Sequence, residues 1–332
     1  MDNILVTGAA GFIGSHLTRT LKNNYSYNVI ALDDLSGGHV DNIPDNISFV
    51  KGSINDLALI SELFKKYKFT YVYHLAAYAA EGLSHFIRRF NYSNNLIGSI
   101  NLINESVNNN VECFVFMSSI AVYGSNQVPM SEELIPDPED PYGIAKYSIE
   151  LDLKNANKMF GLNYVIFRPH NVYGEYQNIG DRYRNVVGIF MNQVLQNKPL
   201  SIFGDGEQKR AFSYVGDIID PIASSPLNIN ALNQVFNIGA DNPFTVNKLA
   251  QEIFNVMEVK NYPIQYLDAR NEVKIAYSDH SKAYKVFGQP TFTPLSKGLL
   301  KMYQWVKLVG SRSAPKFENI EIYKNLPSFW LK

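Results

Sequence analysis

A tyrosine and a lysine stand four positions apart in the segment Tyr142-Gly-Ile-Ala-Lys146. In a helix this spacing puts both side chains on one face, where an ammonium group can stabilise a phenolate. Tyrosine has an ordinary pKa of about 10 and is a poor base at neutral pH, but a nearby positive charge lowers that pKa. Alone, the pattern usually marks an exposed helix face. Ser118 and Ser119, at the end of the preceding apolar run, favour the chemical interpretation: proton transfer by Tyr142, assisted by Ser119 and Lys146.

Three glycines near the start of the chain indicate a second function. Gly8, Gly11 and Gly14 follow an apolar run, Ile4-Leu-Val6, and open a helical pattern. Glycines in this context allow the backbone to approach a phosphate, which the free amides at the helix start then bind. The loop from Thr7 to Gly14 is therefore predicted to hold the pyrophosphate of a dinucleotide; a plain tight turn is the alternative.

The next apolar run ends in a pair of carboxylates, Asp33 and Asp34, nineteen residues after Gly14. A carboxylate there can accept hydrogen bonds from the adenosine ribose hydroxyls and would repel a 2′-phosphate. The predicted cofactor is NAD rather than NADP, with a solvated turn residue as the other interpretation of Asp33.

The elements that must position these residues alternate between strands and helices, which predicts an α/β fold: a Rossmann doubly wound parallel sheet with a smaller C-terminal α/β substrate-binding domain. Residues 1–168 would form the NAD-binding domain, with a return near 214–240, and residues 169–332 a substrate-binding region. The polar stretch from Ser311 carries no functional signal. The predicted strands are Asn3–Thr7, Asn28–Asp33, Tyr71–Ala76, Cys113–Ser118, Asn163–Arg168 and Gln234–Gly239, and the helices Phe12–Asn23, Leu57–Lys66, Tyr92–Asn109 and Tyr142–Phe160.

Composition limits the class of protein. The 332 residues are 46% hydrophobic and 18% charged, as in an ordinary globular enzyme. With 30 basic and 31 acidic residues, the net charge of -1 gives no basic surface for nucleic acid or for an anionic membrane. The only cysteine, Cys113, cannot form an intrachain disulfide, and no apolar run reaches membrane-spanning length. We expect a cytoplasmic protein.

Taken together, the motifs resemble the extended short-chain dehydrogenases/reductases that act on nucleotide-diphosphate sugars. The resemblance covers about residues 1–300. It implies NAD as cofactor, Ser119, Tyr142 and Lys146 as a catalytic triad, and a homodimer joined through helices near 92–109 and 143–160. The stretches that carry it are Thr7–Gly14, His74–Ala77, Phe116–Gly124, Pro141–Lys146, Arg168–Gly174 and Arg210–Asp217.

The predicted binding residues come from the loop motifs and from this resemblance. The cofactor-binding set is Gly8, Gly11, Phe12, Ile13, Gly14, Asp33, Asp34, Ser53, Ile54, Leu75, Ala76, Ala77, Tyr78, Asn95, Ser118, Tyr142, Lys146 and Pro169. The substrate-binding set is Glu81, Ser119, Asn171, Arg184, Arg210 and Arg270. Arg210 is assigned to the diphosphate, whose oxygens a planar guanidinium can clamp, and Arg270 to a second phosphate contact. A surface or interdomain contact is the alternative for Asn171, Arg210 and Arg270, and no metal site is predicted.

The residues after Ser119 select among the reactions of the resembled group. Its 4,6-dehydratases carry Asp and Glu at the positions of Ile120 and Ala121, its UDP-glucuronate decarboxylases carry Glu at the second position, and its GDP-sugar 3,5-epimerases carry Cys there. Aliphatic Ile120 and Ala121 cannot transfer protons. What remains is reversible oxidation of the sugar C4 hydroxyl, the reaction of an NAD-dependent 4-epimerase with a UDP-sugar as the expected substrate.

Alternatives to the 4-epimerase stay open from sequence. His170-Asn171 and the stretch Ala79-Ala-Glu-Gly82 are somewhat similar to those of GDP-mannose 3,5-epimerases. Segment 78–90 departs from the common epimerase pattern, and loop 176–185 is rich in charge. Their Glu81, His85, Arg88 and Arg184 could serve proton transfer or carboxylate recognition, or form a salt-linked lid without chemistry. A dehydrogenase that releases the 4-keto sugar, and a non-catalytic NAD sensor, are further alternatives.

Overall fold

A seven-stranded, wholly parallel sheet forms the centre of the computed structural model, which describes residues 1–269, 273–313 and 317–331. The strand order is β11-β6-β5-β4-β1-β2-β3, with the direction of winding reversing between β1 and β4. This order is that of doubly wound dinucleotide-binding sheets, so the predicted fold class is confirmed. Within the described ranges, no helix is long and apolar enough to cross a membrane.

The elements alternate through the first half of the chain and become shorter beyond β6. The strands are β1 Asn3–Thr7, β2 Asn28–Asp33, β3 Ser48–Lys51, β4 Tyr71–His74, β5 Cys113–Met117, β6 Asn163–Pro169, β7 Val172–Tyr173, β8 Leu200–Phe203, β9 Lys209–Ala211, β10 Ser213–Tyr214, β11 Gln234–Ile238, β12 Pro243–Thr245, β13 Ile264–Leu267 and β14 Ile275–Ala276. The helices are α1 Phe12–Asn24, α2 Leu57–Tyr67, α3 Glu81–Ser84, α4 Arg88–Tyr92, α5 Gly98–Asn108, α6 Pro141–Phe160, α7 Val186–Leu195, α8 Ile219–Ser224, α9 Val246–Val256, α10 Ser281–Phe287, α11 Leu295–Val309 and α12 Ser328–Leu331.

Two differences from the predicted elements have local causes. The edge strand β3 was not predicted, because it is only four residues long, Ser48–Lys51, has just two apolar side chains and shows no clear period. Strand β4 ends at His74 rather than at Ala76. The amides of Leu75 and Ala76 turn aside to bond the Thr7 carbonyl, at 3.2 Å, and the Thr7 hydroxyl, at 3.3 Å.

Hydrophobic side chains cover both faces of the sheet, as expected for buried parallel strands. Along β1, Ile4 and Val6 join the cluster packed by α1, whereas Leu5 joins the cluster packed by α2, α5 and α6. The strand period of two therefore sends alternate residues into separate cores. With both faces occupied, loops at the strand ends remain available for function.

Helix α6 is defined at both ends by its sequence. Asp140 accepts a hydrogen bond from the Gly143 amide at 2.9 Å, and Pro141 occupies the first turn, where its missing N–H costs nothing. Gly161 ends the helix with φ +77, a conformation suited to glycine. These signals set where α6 begins and ends. Within α6, Tyr142 and the residues one and two turns later, Lys146 and Glu150, lie on the same face.

A buried ion pair joins α6 to the sheet. Glu150 and Arg168 meet at 2.5 Å with side chains 0% and 3% exposed, and Glu150 also accepts a 2.6 Å hydrogen bond from the Ser118 hydroxyl. Arg168 donates a further bond of 2.7 Å to the Tyr123 hydroxyl. Every charged atom of the pair thus faces a polar partner, as a buried ion pair requires.

Replacing one partner of this pair should destabilise the protein strongly. Glu150→Gln leaves the Arg168 guanidinium buried without its counter-charge, for an expected loss of about 3–5 kcal/mol in the free energy of unfolding. Urea unfolding followed by circular dichroism measures it. Glu252→Gln is the matched control, because its partner Lys248 is 53% exposed and such a pair contributes about 0.5 kcal/mol or less. Equal losses in the two variants would contradict the role given to the buried pair.

Candidate active site

The carboxyl ends of the parallel strands open into one cleft of about 1140 Å³. The structure brings nearly all of the predicted site residues together along its walls. Those that line it are Gly8, Gly11, Phe12, Ile13, Gly14, Asp33, Asp34, Ser53, Ile54, Leu75, Ala76, Ala77, Tyr78, Glu81, Ser118, Ser119, Tyr142, Lys146, Pro169, Asn171, Arg184 and Arg210.

The glycine loop has no room for side chains. Gly8 has φ +69, and a Cβ added to it would lie 2.7 Å from the Ala76 nitrogen. A Cβ on Gly14 would collide with the Gly8 carbonyl, so the loop packs directly against the start of α1. Gly11 is the N-cap residue of α1 and faces the cleft with the first amides of that helix. This arrangement fits a pyrophosphate, which needs close backbone approach and a positive helix end.

Asp33 is positioned by the same loop. Its carboxylate accepts hydrogen bonds from the Ala10 amide at 3.0 Å and the Leu35 amide at 2.8 Å. Burial raises the pKa of Asp33, and these backbone hydrogen bonds oppose the rise. Since the side chain ends β2 and lines the cleft, its free lone pairs suit ribose hydroxyls.

Tyr142 and Lys146 are buried, not on an exposed helix face. Tyr142 is 7% exposed and Lys146 is 2% exposed. The Lys146 ammonium donates a 2.7 Å hydrogen bond to the Met117 carbonyl and lies 5.8 Å from the centroid of the Tyr142 ring. The two residues share the face of α6 that points into the cleft, together with Ser119 from the end of β5.

Burial dominates the pKa of both groups. It raises the pKa of Tyr142 above its usual value; the Ser119 hydrogen bond and the Arg184 charge oppose the rise, whereas Glu81 and Asp140 reinforce it. The sequence predicted a lowered pKa for Tyr142 through Lys146, but in the structure the net shift is upward. Burial also lowers the pKa of Lys146 to about 7, partly offset by Glu150. Lys146 is therefore only partly charged at neutral pH.

Two predicted residues are not among those that line the cleft in the described part of the chain. Asn95 is 1% exposed and lies behind the cleft wall, where it accepts a 2.8 Å bond from the Tyr78 amide and donates a 3.1 Å bond to the Tyr78 carbonyl. It supports the loop after β4. Arg270 lies outside the described residues, between Ala269 and Val273, which both line the cleft. Arg210 reaches the Val273 carbonyl at 2.5 Å.

The charged residues of segments 78–90 and 176–185 meet at one end of the cleft. Arg184 forms a 2.6 Å ion pair with Asp181 and stacks over the Tyr78 ring at 4.8 Å. Glu81 and His85 also line the cleft, whereas Arg88 is not among its lining residues. The salt link that sequence offered as one interpretation is present, and it lies beside groups that could contact a sugar.

Sequence reasoning gave no site role to three parts of this cleft wall, although it noted His170 as part of a similarity to GDP-mannose 3,5-epimerases. Gln177 is 3% exposed, and its Oε1 has no hydrogen-bond partner among the described residues. His170 contacts His280 at 3.1 Å between their Nε2 atoms, and His280 continues to Asp241 at 2.6 Å. The third part is the C-terminal segment, including Trp330. Single polar residues in loops have no periodicity, so only the position of His170 beside Pro169 could have signalled any of them.

Three features define the class of protein. They are the glycine loop at the start of a doubly wound sheet, an acidic residue at the end of the second strand, and a hydroxyl, a phenol and an ammonium group that follow the fifth strand. Together they are typical of Rossmann enzymes that depend on a nicotinamide dinucleotide. Residues 4–239 match the model of the NAD dependent epimerase/dehydratase family. The chain belongs to this family, and it is an NAD-dependent epimerase.

Individual relatives show how far the similarity extends. The crystal structure of UDP-glucose 4-epimerase from Thermotoga maritima with UDP-glucose is 36% identical, with a TM-score of 0.88 over 92% of this chain and 99% of that one. UDP-glucuronic acid 4-epimerase from Bacillus cereus, in complex with UDP-glucuronic acid and NAD, is 30% identical, with a TM-score of 0.85 over 92% and 99%. A dTDP-D-glucose 4,6-dehydratase from Mus musculus is 28% identical over 92% of this chain and 88% of that protein.

The burial of Lys146 predicts a pH-dependent stability difference. Below pH 7 the lysine is charged in both the folded and the unfolded state, so the cost of burying its charge is fully present. Above pH 7 the folded state releases the proton while the unfolded state keeps it up to its ordinary pKa of about 10.4. Relative to Lys146→Met, the wild type should gain stability by up to about 1.4 kcal/mol per pH unit between pH 7 and 10.

Urea unfolding of both proteins at pH 6, 7.5 and 9 measures this difference. Other titrating groups are common to the two proteins and cancel in the comparison. A difference that stays constant from pH 6 to pH 9 would show that Lys146 is not held at a lowered pKa.

Proposed function

We propose that the chain is a UDP-sugar 4-epimerase that works through a transient 4-keto sugar. The observation that carries the proposal is the convergence of Ser119, Tyr142 and Lys146 in the same cleft as the glycine loop and Asp33. A hydroxyl of the sugar that reaches Tyr142 is then next to the part of the cleft that binds the dinucleotide. The two 4-epimerases reported above, which act on UDP-glucose and UDP-glucuronic acid, support the same reaction class.

In the proposed mechanism, the Tyr142 phenolate accepts the proton of the sugar C4 hydroxyl as C4 gives up a hydride, and it returns that proton when the hydride comes back. The Ser119 hydroxyl hydrogen-bonds the same oxygen and orients it, and the charge of Lys146 favours the phenolate because both groups lie in a poorly solvated pocket. NAD, when bound, supplies the acceptor and the donor of the C4 hydride. The keto sugar is bound loosely enough to turn over in the site. The hydride then returns to the other face of C4, and the configuration at C4 is inverted.

The residues after Ser119 argue against dehydration. Ser119 caps the turn that begins at Ile120 by accepting the Ala121 amide at 3.1 Å, and both aliphatic residues line the cleft. No carboxylate or thiol is available at these positions to protonate a leaving hydroxyl. We therefore interpret the similarity to dTDP-D-glucose 4,6-dehydratases as a shared fold and not as a shared reaction.

We further propose that residues 1–168 bind NAD and that residues 169–332 bind the nucleotide sugar. Asn171 is exposed in the cleft beside Pro169, and Arg210 lines the wall contributed by β9. A guanidinium at that place can contact diphosphate oxygens.

A second candidate, a 3,5-epimerase, is favoured by one observation. Burial raises the pKa of Tyr142 and nearby Glu81 reinforces the rise; burial also raises the pKa of Asp140, and nearby His85 opposes that rise. Such groups could remove a proton from a carbon next to the keto group. Turnover in heavy water separates the two reactions: return of the hydride to C4 introduces no deuterium, whereas 3,5-epimerisation labels C3 and C5.

Removing the phenolic oxygen tests the proposed base. Tyr142→Phe should lower kcat for UDP-sugar 4-epimerisation by at least about 100-fold, because general acid–base catalysis contributes that much or more. The interconversion of UDP-glucose with UDP-galactose, and of UDP-glucuronate with its C4 epimer, is followed by NMR. Tyr147→Phe is the matched control on the same helix, since Tyr147 packs in a separate hydrophobic cluster. Near-wild-type turnover by Tyr142→Phe would exclude the mechanism.

We propose that the protein acts as a homodimer, as the family resemblance implies. Helix α6 supports this with apolar side chains on its outer face: Ile144 is 38% exposed, Leu151 49% and Met159 62%. Exposed apolar surface of this extent along one helix is typical of a protein interface. Cytoplasmic localisation stays a prediction.

A charge placed on this face should separate the protomers. Leu151→Glu is expected to shift the mass in solution, measured by light scattering during gel filtration, from that of two chains to that of one. Leu308→Glu, at a residue 86% exposed on α11, is the control and should not shift it. A wild-type protein with the mass of one chain would refute the dimer.

A further inference from the structure

The C-terminal segment of residues 317–331, here called the strap, lies across the cleft. Sequence gave it no function, yet six of its residues line the cleft wall. They are Ile322, Lys324, Asn325, Pro327, Ser328 and Trp330. A segment with no role near the site would not be expected to supply so much of the wall.

Backbone hydrogen bonds fix the middle of the strap. The Glu321 carboxylate accepts the amides of Arg89 at 2.7 Å and Phe90 at 2.8 Å, at the start of α4. In return, the Glu321 and Ile322 amides donate to the Phe86 carbonyl at 2.8 and 3.2 Å. The strap therefore has a defined register on segment 78–90.

Aromatic contacts hold both ends of the strap. The Phe317 ring packs against Phe90 at 4.9 Å and Tyr78 at 5.4 Å between ring centroids. Trp330, 5% exposed, packs against Tyr183 at 5.5 Å and Phe86 at 5.9 Å. The strap thus joins the loop after β4 to the loop 176–185, which both border the cleft.

The wall that the strap covers belongs to the surroundings of Tyr142. The Ser84 hydroxyl, at the end of α3, lies 3.3 Å from the Asp140 carboxylate and accepts the Tyr142 amide at 3.3 Å. Helix α3 therefore rests on the start of α6, and Trp330 rests on α3, where a Cβ added to Gly82 would lie 3.4 Å from the indole ring. A sugar held at Tyr142 has the strap as a neighbour.

Two cations at this end of the cleft differ in whether they form an ion pair. Arg184 is paired with Asp181, whereas Lys324 is exposed, lines the cleft and forms no ion pair among the described residues. Glu81 and the buried Asp140 would disfavour an anionic substituent on the sugar unless a cation faced it. Lys324 is the cation that the strap supplies.

We propose that the strap is a specificity element of the substrate pocket, in which Trp330 fixes the wall and Lys324 selects sugars that carry a carboxylate. This inference rests on the proposed function and names its substrate class, a UDP-hexuronate. Trp330 is a positioning residue, because it acts through α3 and the strap backbone.

Charge removal at Lys324 tests the selection. Lys324→Gln should weaken the binding of UDP-glucuronate, measured by calorimetry on the NAD-loaded enzyme, and lower kcat/KM for it by about tenfold, the scale of a partly exposed charged hydrogen bond. UDP-glucose should change less than about twofold, because it carries no charge at the sugar. Lys297→Gln, an exposed lysine of α11 away from the cleft, is the matched control. Equal effects on both sugars, or none, would overturn the role of Lys324.

A second variant tests the wall itself. Trp330→Ala should raise KM for UDP-sugars by about tenfold with a smaller change in kcat, because losing a buried indole mainly loosens the bound sugar. NAD content and the far-ultraviolet circular dichroism should stay unchanged. A lowered NAD content or an unaltered KM would contradict the positioning role. A wild type that binds UDP-glucuronate through Lys324 but converts no UDP-sugar would refute the 4-epimerase and leave the strap assignment in place.

Discussion

The structure depends on one buried carboxylate. Glu150 is fully buried on α6 and is held by Arg168 from β6 and by Ser118, which directly follows β5. Removing either Glu150 or Arg168 would leave a charge in the core without compensation, which is far more costly than losing a surface pair. The helix can therefore dock on the sheet in only one register. That register sets the two turns that lead back from Glu150 through Lys146 to Tyr142, and so places the reactive face over the ends of the strands.

The same burial that fixes the register controls the protons. In a poorly solvated pocket both the phenolate and the ammonium are disfavoured, so the pKa of Tyr142 rises and that of Lys146 falls to about 7. The resting pair is thus close to neutral. A phenolate at Tyr142 is most favourable when Lys146 is protonated, and the reverse also holds. The protonation of Tyr142 is therefore coupled to that of Lys146 and to the charge of any ligand bound beside them.

The two sides of the cleft are built differently. The dinucleotide side is built from strand ends and a glycine loop, whose geometry leaves little freedom. The other side, which we propose binds the sugar, is built from short segments that meet through aromatic rings, among them Tyr78, Tyr183 and Phe317. Side chains in such segments can change without disturbing the sheet, which is a physical reason for specificity to reside there.

By itself, the sequence determined the sheet, the cofactor and the proposed reaction. Glycine spacing after β1, the carboxylate after β2 and the one-turn spacing of Tyr142 and Lys146 are local patterns, and local patterns are visible in sequence. Only the tertiary structure decided that Asn95 supports Tyr78 from behind the cleft wall, that burial raises the pKa of Tyr142, and that Trp330 returns to the cleft. Each of these depends on residues distant in sequence that are brought together by packing, and no periodicity or motif encodes such a contact.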